Sequence, residues 1–235
     1  MSPATASASE RREELRQAYR DAAACERCPQ LVQTRHSVVF GAGNADADLM
    51  FIGEAPGQSE DELGLPFVGR AGALLDELLS GIGLDRGDVF ITNVLMCRPP
   101  ANRDPHPNEV ERCSDWLWRK INLVRPEVVC TLGNFATKLL RDDQTGITRL
   151  RGRPEERTLG TLNVRLLPLF HPAAALYTPS NVELLREDFK RIPELLALPP
   201  LEQAAVDPEA ELGAPVVAEP APAVERPPGD QLGLF

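Results

Sequence analysis

Four short apolar runs, each ending in a cluster of glycine, proline or polar residues, constrain this chain more than any other feature. They are DLMFIGEAPG, DVFITNVLMC, PEVVCTLG and LNVRLLPLFHP. Segments with apolar residues at helical spacing lie between and after them: AGALLDELLSGIGL, PNEVERCSDWLWRKINLV, NFATKLLR and NVELLREDFKRIPELLAL. Asn108 or a neighbour is the expected cap of the second of these helices. An unbroken apolar run of this length is a strand buried on both faces. Strands alternating with helices predict a three-layer α/β/α domain around a central, mostly parallel, four-stranded sheet. In such sheets ligands bind beyond the carboxyl ends of the strands. Those ends here are GEAPG, TNVLMC, TLGN and FHP, and three of the four are polar clusters that a core would not accommodate.

Composition sets the boundaries. Residues 11–199 are expected to form one domain, opening with the helix ERREELRQAYRDAAA, while residues 1–10 are expected to be disordered. From Pro200 onward the chain turns to Pro, Ala and Glu, which bury too little apolar surface to offset chain entropy. Residues 200–235 are therefore expected to be a disordered tail, ending in the apolar pentapeptide QLGLF. No run approaches the ~18 apolar residues of a membrane helix, and the first twenty residues have no apolar stretch resembling a secretory signal. A cytoplasmic location is expected. The net charge of −10 argues against nucleic acid, but seven acidic residues and one basic lie from Pro200 onward, leaving −4 for residues 1–199. Phosphate binding would need a local basic patch. ITRLRGRPEER, with Arg149, Arg151, Arg153 and Arg157, is one candidate, and a solvated charged loop is an equal reading.

Five cysteines in a cytoplasmic chain point to ligation before disulfides. Cys25 and Cys28 form CERC, Cys97 follows a strand, and Cys113 falls inside a helix. Two distant cysteines can complete a four-thiolate set begun by C-x-x-C. Cys130, in mid-strand, reads as a buried inert thiol. Spacing leaves zinc and an iron–sulfur cluster equally open.

GEAPGQSEDELGLPFVGRAG, TNVLMCRPPANRDPHPNE and FHPAAAL together resemble the three signature regions of family 4 uracil-DNA glycosylases. The order and spacing of Cys25, Cys28, Cys97 and Cys113 are similar to those of that family's [4Fe–4S] ligands. The resemblance covers about residues 25 to 190 and favours the cluster over zinc. It implies an enzyme that flips uracil out of DNA and hydrolyses its N-glycosidic bond, starting base excision repair. It also implies roles for individual residues. Phe67 would stack on the flipped base, and Asn93 would read its O4 and N3–H edge. His171 would donate to O2 as negative charge develops there. Glu60 would position or activate water, with Glu54 shaping the pocket. Backbone amides of Ala55 to Gly57 would donate to the base. PAAALY, with Leu176 as the apolar wedge, would fill the gap left in the duplex. Arg98, Arg103, Arg151 and Arg153 are candidate phosphate contacts.

Related readings differ in chemistry. One branch of the family traps uracil-DNA sites covalently through a histidine in an inserted basic loop. It carries glutamine at the position of Ala55, and this chain has neither feature, although His106 lies in the corresponding region. A non-catalytic, metal-containing DNA repair or binding protein would have no use for Phe67, Asn93 and His171 together. GEAPG as a nucleotide-phosphate loop lacks the lysine and Ser/Thr of a P-loop. QLGLF resembles the short motif by which bacterial repair proteins bind the sliding clamp, and would act as a tether. A monomer is expected.

Overall fold

A computed structural model describes residues 7–203. The four apolar runs form the parallel centre of one sheet, flanked by two short strands. In chain order the strands are β1 (Ala42–Gly43), β2 (Leu49–Gly53), β3 (Val89–Asn93), β4 (Val128–Leu132), β5 (Glu155–Leu159) and β6 (Leu162–Leu169). Their spatial order is β1-β3-β2-β4-β6-β5, with β1 and β5 antiparallel to their neighbours. The sheet thus has six strands where four were expected. Both additions are edges, and the reason they escape a search for apolar runs is physical. β5 alternates half-buried and exposed residues along EERTL, because one of its faces meets water. Part of the basic stretch ITRLRGRPEER is therefore strand, and Arg157 there pairs with Glu155.

The helices are α1 (Ala8–Ala23), α2 (Pro29–Val32), α3 (Gln58–Leu63), α4 (Arg70–Ser80), α5 (Pro107–Val124), α6 (Asn134–Arg141), α7 (Ile147–Leu150), α8 (Pro172–Tyr177), α9 (Ser180–Phe189) and α10 (Arg191–Leu196). One sheet face, through Met50, Ile52 and Val129, packs with Leu15 and Ala18 of α1 and Leu117 and Ile121 of α5. The other, through Leu49, Phe51 and Cys130, packs with Leu75 and Leu78 of α4, Phe189 of α9 and Ile192 of α10. Phe51 and Phe189 stack across that layer with ring centroids 5.7 Å apart. Each such fully buried side chain contributes about 1.5–3 kcal/mol. Strand residues alternate between the two layers, so Cys130 is buried on the face opposite the other four cysteines, where burial pushes its thiol up.

Two helix starts differ from the sequence expectation. α1 begins at Ala8, inside the stretch expected to be disordered. Ser7 caps it, its hydroxyl accepting from the Glu10 amide while the Glu10 carboxylate accepts from the Ser7 amide. α5 is capped at His106 rather than Asn108, with Pro107 at its first position. The buried Glu109 carboxylate accepts from the His106 amide and from Arg103 at 2.9 and 2.6 Å. Arg103 holds that carboxyl below its usual range. The buried stripe of α5 includes Val110, Cys113, Leu117 and Lys120, at spacings of three and four. At the other end of the described chain, Gln203 and Glu202 bond Asn163 beside β5. The remainder of the expected tail, QLGLF included, lies outside the described residues.

Candidate active site

The carboxyl ends of β2, β3 and β6 open into one cavity of about 370 Å³. Glu54, Ala55, Pro56 and Gly57 line it after β2, Asn93 ends β3, and His171 follows β6. The end of β4 contributes by what it lacks. A Cβ on Gly133 would meet the His171 Cβ at 3.1 Å, and Gly133 has φ +92°. Ala71, Pro99, Asn102 and Arg103 complete the wall. The first three had no signal as site residues, since they lie on a helix start and a turn whose place only the fold decides.

Phe67 stands in this cavity on a constrained loop. Its φ is +53°, a left-handed value unusual for a bulky side chain, and such strain persists only where the surroundings over-determine it. Four constraints do so. Glu60 Oε1 accepts from the Val68 and Gly69 amides, both at 3.0 Å. Arg86 donates to the carbonyls of Pro66 and Phe67. Gly72 leaves room for the Phe67 backbone, where any Cβ would collide with its carbonyl. The Phe67 ring stacks on His171, centroids 5.5 Å apart and 29° between planes. Gly53 has a matching function, since a Cβ there would run into both Asn93 Oδ1 and the Phe67 ring. Arg86, outside the cavity and far along the sequence, was not foreseen.

The polar groups are specifically arranged. Asn93 is 2% exposed, and its Oδ1 is buried without a hydrogen-bond partner among the described residues. Such an orphan acceptor costs about 1–3 kcal/mol. His171 Nδ1 accepts from the Ala173 amide at 3.1 Å. Nδ1 must then be unprotonated, so the neutral ring carries its proton on Nε2. Burial, against the opposing pull of Glu60, lowers the His171 pKa to about 4 and so keeps the ring neutral near pH 7. Burial, with Asp104 adding to it, pushes the Glu54 carboxyl above its usual value.

Cys25, Cys28, Cys97 and Cys113 line a second, small cavity on the α1/α5 side of the sheet, together with Leu31, Leu95 and Met96. The end of α1, the start of α2, the segment after β3 and the middle of α5 each bring one thiol. Arg35 donates to Cys97 Sγ at 3.2 Å. Burial raises the thiols of Cys28, Cys97 and Cys113, the last to about 11. Among the described residues no three His, Cys, Asp or Glu side chains converge on a point suited to one metal ion. The four thiols, with Arg27, Arg35 and Arg112 beside them, are a donor set of the kind that holds a thiolate-bound metal group.

The uracil DNA glycosylase superfamily model matches residues 40–196. A type-4 uracil-DNA glycosylase of Archaeoglobus fulgidus is 46% identical over 187 residues, spanning 78% of this chain and 94% of the relative. Those of Sulfurisphaera tokodaii and Thermotoga maritima are 44% identical, covering 74% and 67% of this chain and 81% and 80% of theirs. The chain belongs to the type-4 uracil-DNA glycosylase family. A type-5 uracil-DNA glycosylase of Pyrobaculum aerophilum is more distant, at 30% identity over 202 residues, 73% of this chain and 86% of the relative.

In this family member the expected phosphate-binding arginines have unequal surroundings. Arg153 is exposed. Arg98 donates to Asn102 Oδ1 at 2.8 Å, and Arg103 is paired with Glu109 at the cavity wall. Arg151 is the most heavily engaged of the four. Its guanidinium bonds both Asp188 oxygens at 2.8 and 2.9 Å and the Leu184 carbonyl at 2.8 Å, and lies over the Phe170 ring. Arg151 is a tether between the β6 end and α9. Arg151→Met should leave a buried carboxylate unpaired and lower stability by about 3–5 kcal/mol. Urea unfolding would measure the loss, and the salt dependence of DNA binding should not change. Leu176, the expected wedge, and its neighbour Tyr177 differ in exposure. Leu176 packs against the core, whereas Tyr177 beside it is 86% exposed.

Proposed function

We propose that this chain flips uracil from DNA and hydrolyses its N-glycosidic bond, the opening step of base excision repair. The observation that carries the reading is the orphan Asn93 Oδ1 beside the Phe67–His171 ring pair. Uracil presents an N3–H donor and an O4 acceptor next to each other, which match the Oδ1 and Nδ2 of one amide. Cytosine presents an acceptor at N3 and a donor at C4, and would face Asn93 with both dipoles reversed.

The flipped base stacks on Phe67, and amides of Ala55 to Gly57 donate to it. As the C1′–N1 bond breaks, its electron pair passes to uracil and the sugar becomes oxocarbenium-like. The neutral Nε2–H of His171 stabilises the charge on O2. Water then bonds to C1′ and passes its proton, directly or by way of Glu60, to the departing uracil anion. Glu60, with Oε1 anchored by two amides, has its other oxygen preorganised to orient that water, and Glu54 shapes the pocket floor. Glu60→Gln can still accept both amide bonds, so it should keep the loop and lose at least tenfold in kcat. Single-turnover assays of this variant would check that division of roles.

The cysteine centre fits a [4Fe–4S] cluster held by Cys25, Cys28, Cys97 and Cys113, which would staple the loops together and supply no chemistry at the sugar. Ligation needs thiolates, so assembly must release the protons that burial retains on Cys28, Cys97 and Cys113. Tyr177, supported by Leu176, would fill the gap in the stack, and Arg98, Arg103 and Arg153 would meet phosphates. We extend the reading to a monomer tethered to the sliding clamp through QLGLF. Among the described residues no helix is long and apolar enough to cross a membrane.

The test is an end-labelled oligonucleotide with one central uracil, treated with protein and then alkali. Alkali-dependent cleavage at uracil and none at thymine supports the reading. Intact DNA from folded, metal-loaded protein overturns it, and a denaturation-resistant protein–DNA band would favour the covalent trap instead.

A further inference from the structure

Lys120 is a buried cation with no role in uracil excision. It is 0% exposed, and no carboxylate lies within ion-pair distance of it among the described residues. Its ammonium donates to the Phe40 carbonyl at 2.9 Å and to Thr92 Oγ1 at 2.6 Å, and sits 5.2 Å from the Phe40 ring centroid. A charge taken out of water without a counter-ion is among the most costly arrangements a core can hold. Burial accordingly lowers its pKa to about 8, and the one opposing influence is Cys113.

The helix explains that partner. Cys113 and Lys120 are seven residues apart on the buried stripe of α5, two turns and roughly 10 Å along the axis. Side chains on a helix lean toward its N-terminus, which for Lys120 is the side of Cys113. A cluster held by four thiolates carries net negative charge, because the thiolates outweigh the core they bind. Arg35 and the exposed Arg112 face that charge from the cavity side. Lys120 does not line that cavity and lies two turns further along the buried stripe of α5.

Resting on the assignment of a [4Fe–4S] cluster to the four cysteines, we infer that Lys120 is the interior counter-charge of the cysteine-held group and a positioning residue that ties it, through Thr92, to the strand end carrying Asn93. Thr92 and Asn93 are adjacent in β3. The Thr92 hydroxyl, which itself donates to the Phe40 carbonyl at 2.9 Å, fixes one side of the strand while the Asn93 amide faces the cavity on the other. The free enzyme holds a buried cation on Lys120, bonded to Thr92, and an orphan acceptor on the adjoining Asn93. The cluster satisfies the first and uracil the second.

Purified holoprotein is first analysed for iron, sulfide and zinc. A folded chain with none of these overturns both the cluster assignment and the counter-charge. Zinc alone overturns the cluster assignment only, since a four-thiolate zinc site is also anionic, and zinc release is then followed in place of iron. Release to a chelator is timed for the wild type, Lys120→Met, Lys120→Gln and Thr92→Val. Lys120→Gln removes the charge while keeping an N–H donor, one bond shorter, toward Phe40 and Thr92. The counter-charge reading expects at least tenfold faster release in both Lys120 variants, at matched thermal stability, and wild-type release in Thr92→Val. It expects Thr92→Val to lower kcat/KM for uracil by about tenfold with its metal intact. Wild-type release from Lys120→Gln, or equally fast release from Thr92→Val, would show hydrogen bonding or general loosening and overturn the counter-charge. Unchanged kcat/KM in Thr92→Val would overturn the tie to Asn93.

Discussion

His171→Ala is expected to lower kcat for uracil excision by about 10²–10³, or roughly 3–4 kcal/mol, with little change in DNA affinity. That is the usual cost of removing one donor from a site where negative charge develops. The ring binds charge that exists only in the transition state, so the loss belongs in kcat rather than KM. The same residue sets a pH signature. An ordinary histidine titrates near 6.5, whereas burial takes His171 to about 4. Wild-type kcat should therefore show no histidine inflection between pH 7.5 and 5, and decline only as pH approaches 4. Protonation there would put a second proton on Nδ1, facing the Ala173 amide it now accepts from. Stability follows the same sign. The native state favours neutral His171, so its contribution is full above the unfolded value of about 6.5. It is lost as pH falls from there toward 4, and His171→Ala should flatten that part of the stability curve. Single-turnover rates and urea midpoints across this range would check both. A kcat that falls as pH rises through about 6.5, with the inflection absent in the variant, would mean that the ring works as an imidazolium.

Asn93→Leu should move activity and stability in opposite directions. In the proposed role of Asn93, excision would lose both hydrogen bonds that distinguish uracil, and kcat/KM is expected to fall about 10³-fold, or ~4 kcal/mol. The folded protein loses an amide whose Oδ1 has no partner, in a space bounded by Gly53 and Phe67. Leucine is similar in size and demands no bond, so stability should stay level or rise by about 1 kcal/mol. Structural polar groups behave otherwise, because replacing them lowers stability. Kinetics on a uracil oligonucleotide beside a thermal melt of the same preparation separates the two cases. A variant that loses stability in proportion to activity would make Asn93 a strand-end cap.

Several assignments needed only the order of residues. The apolar runs 49–53, 89–93, 128–132 and 162–169 are buried on both faces, and burial on both faces leaves a mark in composition that requires no coordinates. The polar clusters at their ends were equally legible, because Asn93 and the FHP turn stand where a core would hold aliphatic side chains. The four cysteines were legible as a group through C-x-x-C and its two distant companions. The edge strands were not, since β1 has two residues and β5 is as charged as a loop. Arg151 could not be judged either, because a charge reads the same whether it meets phosphate or an aspartate 37 positions later. Leu176 and Tyr177 are neighbours in one helical turn, and only packing decides which of them faces solvent. Lys120 and Arg86 belong to the same class. Chain order fixes which residues are apolar, polar or ligating, through periods of two and 3.6. Partners brought together across dozens of positions are chosen by the folded layers, and local sequence carries no signal of them.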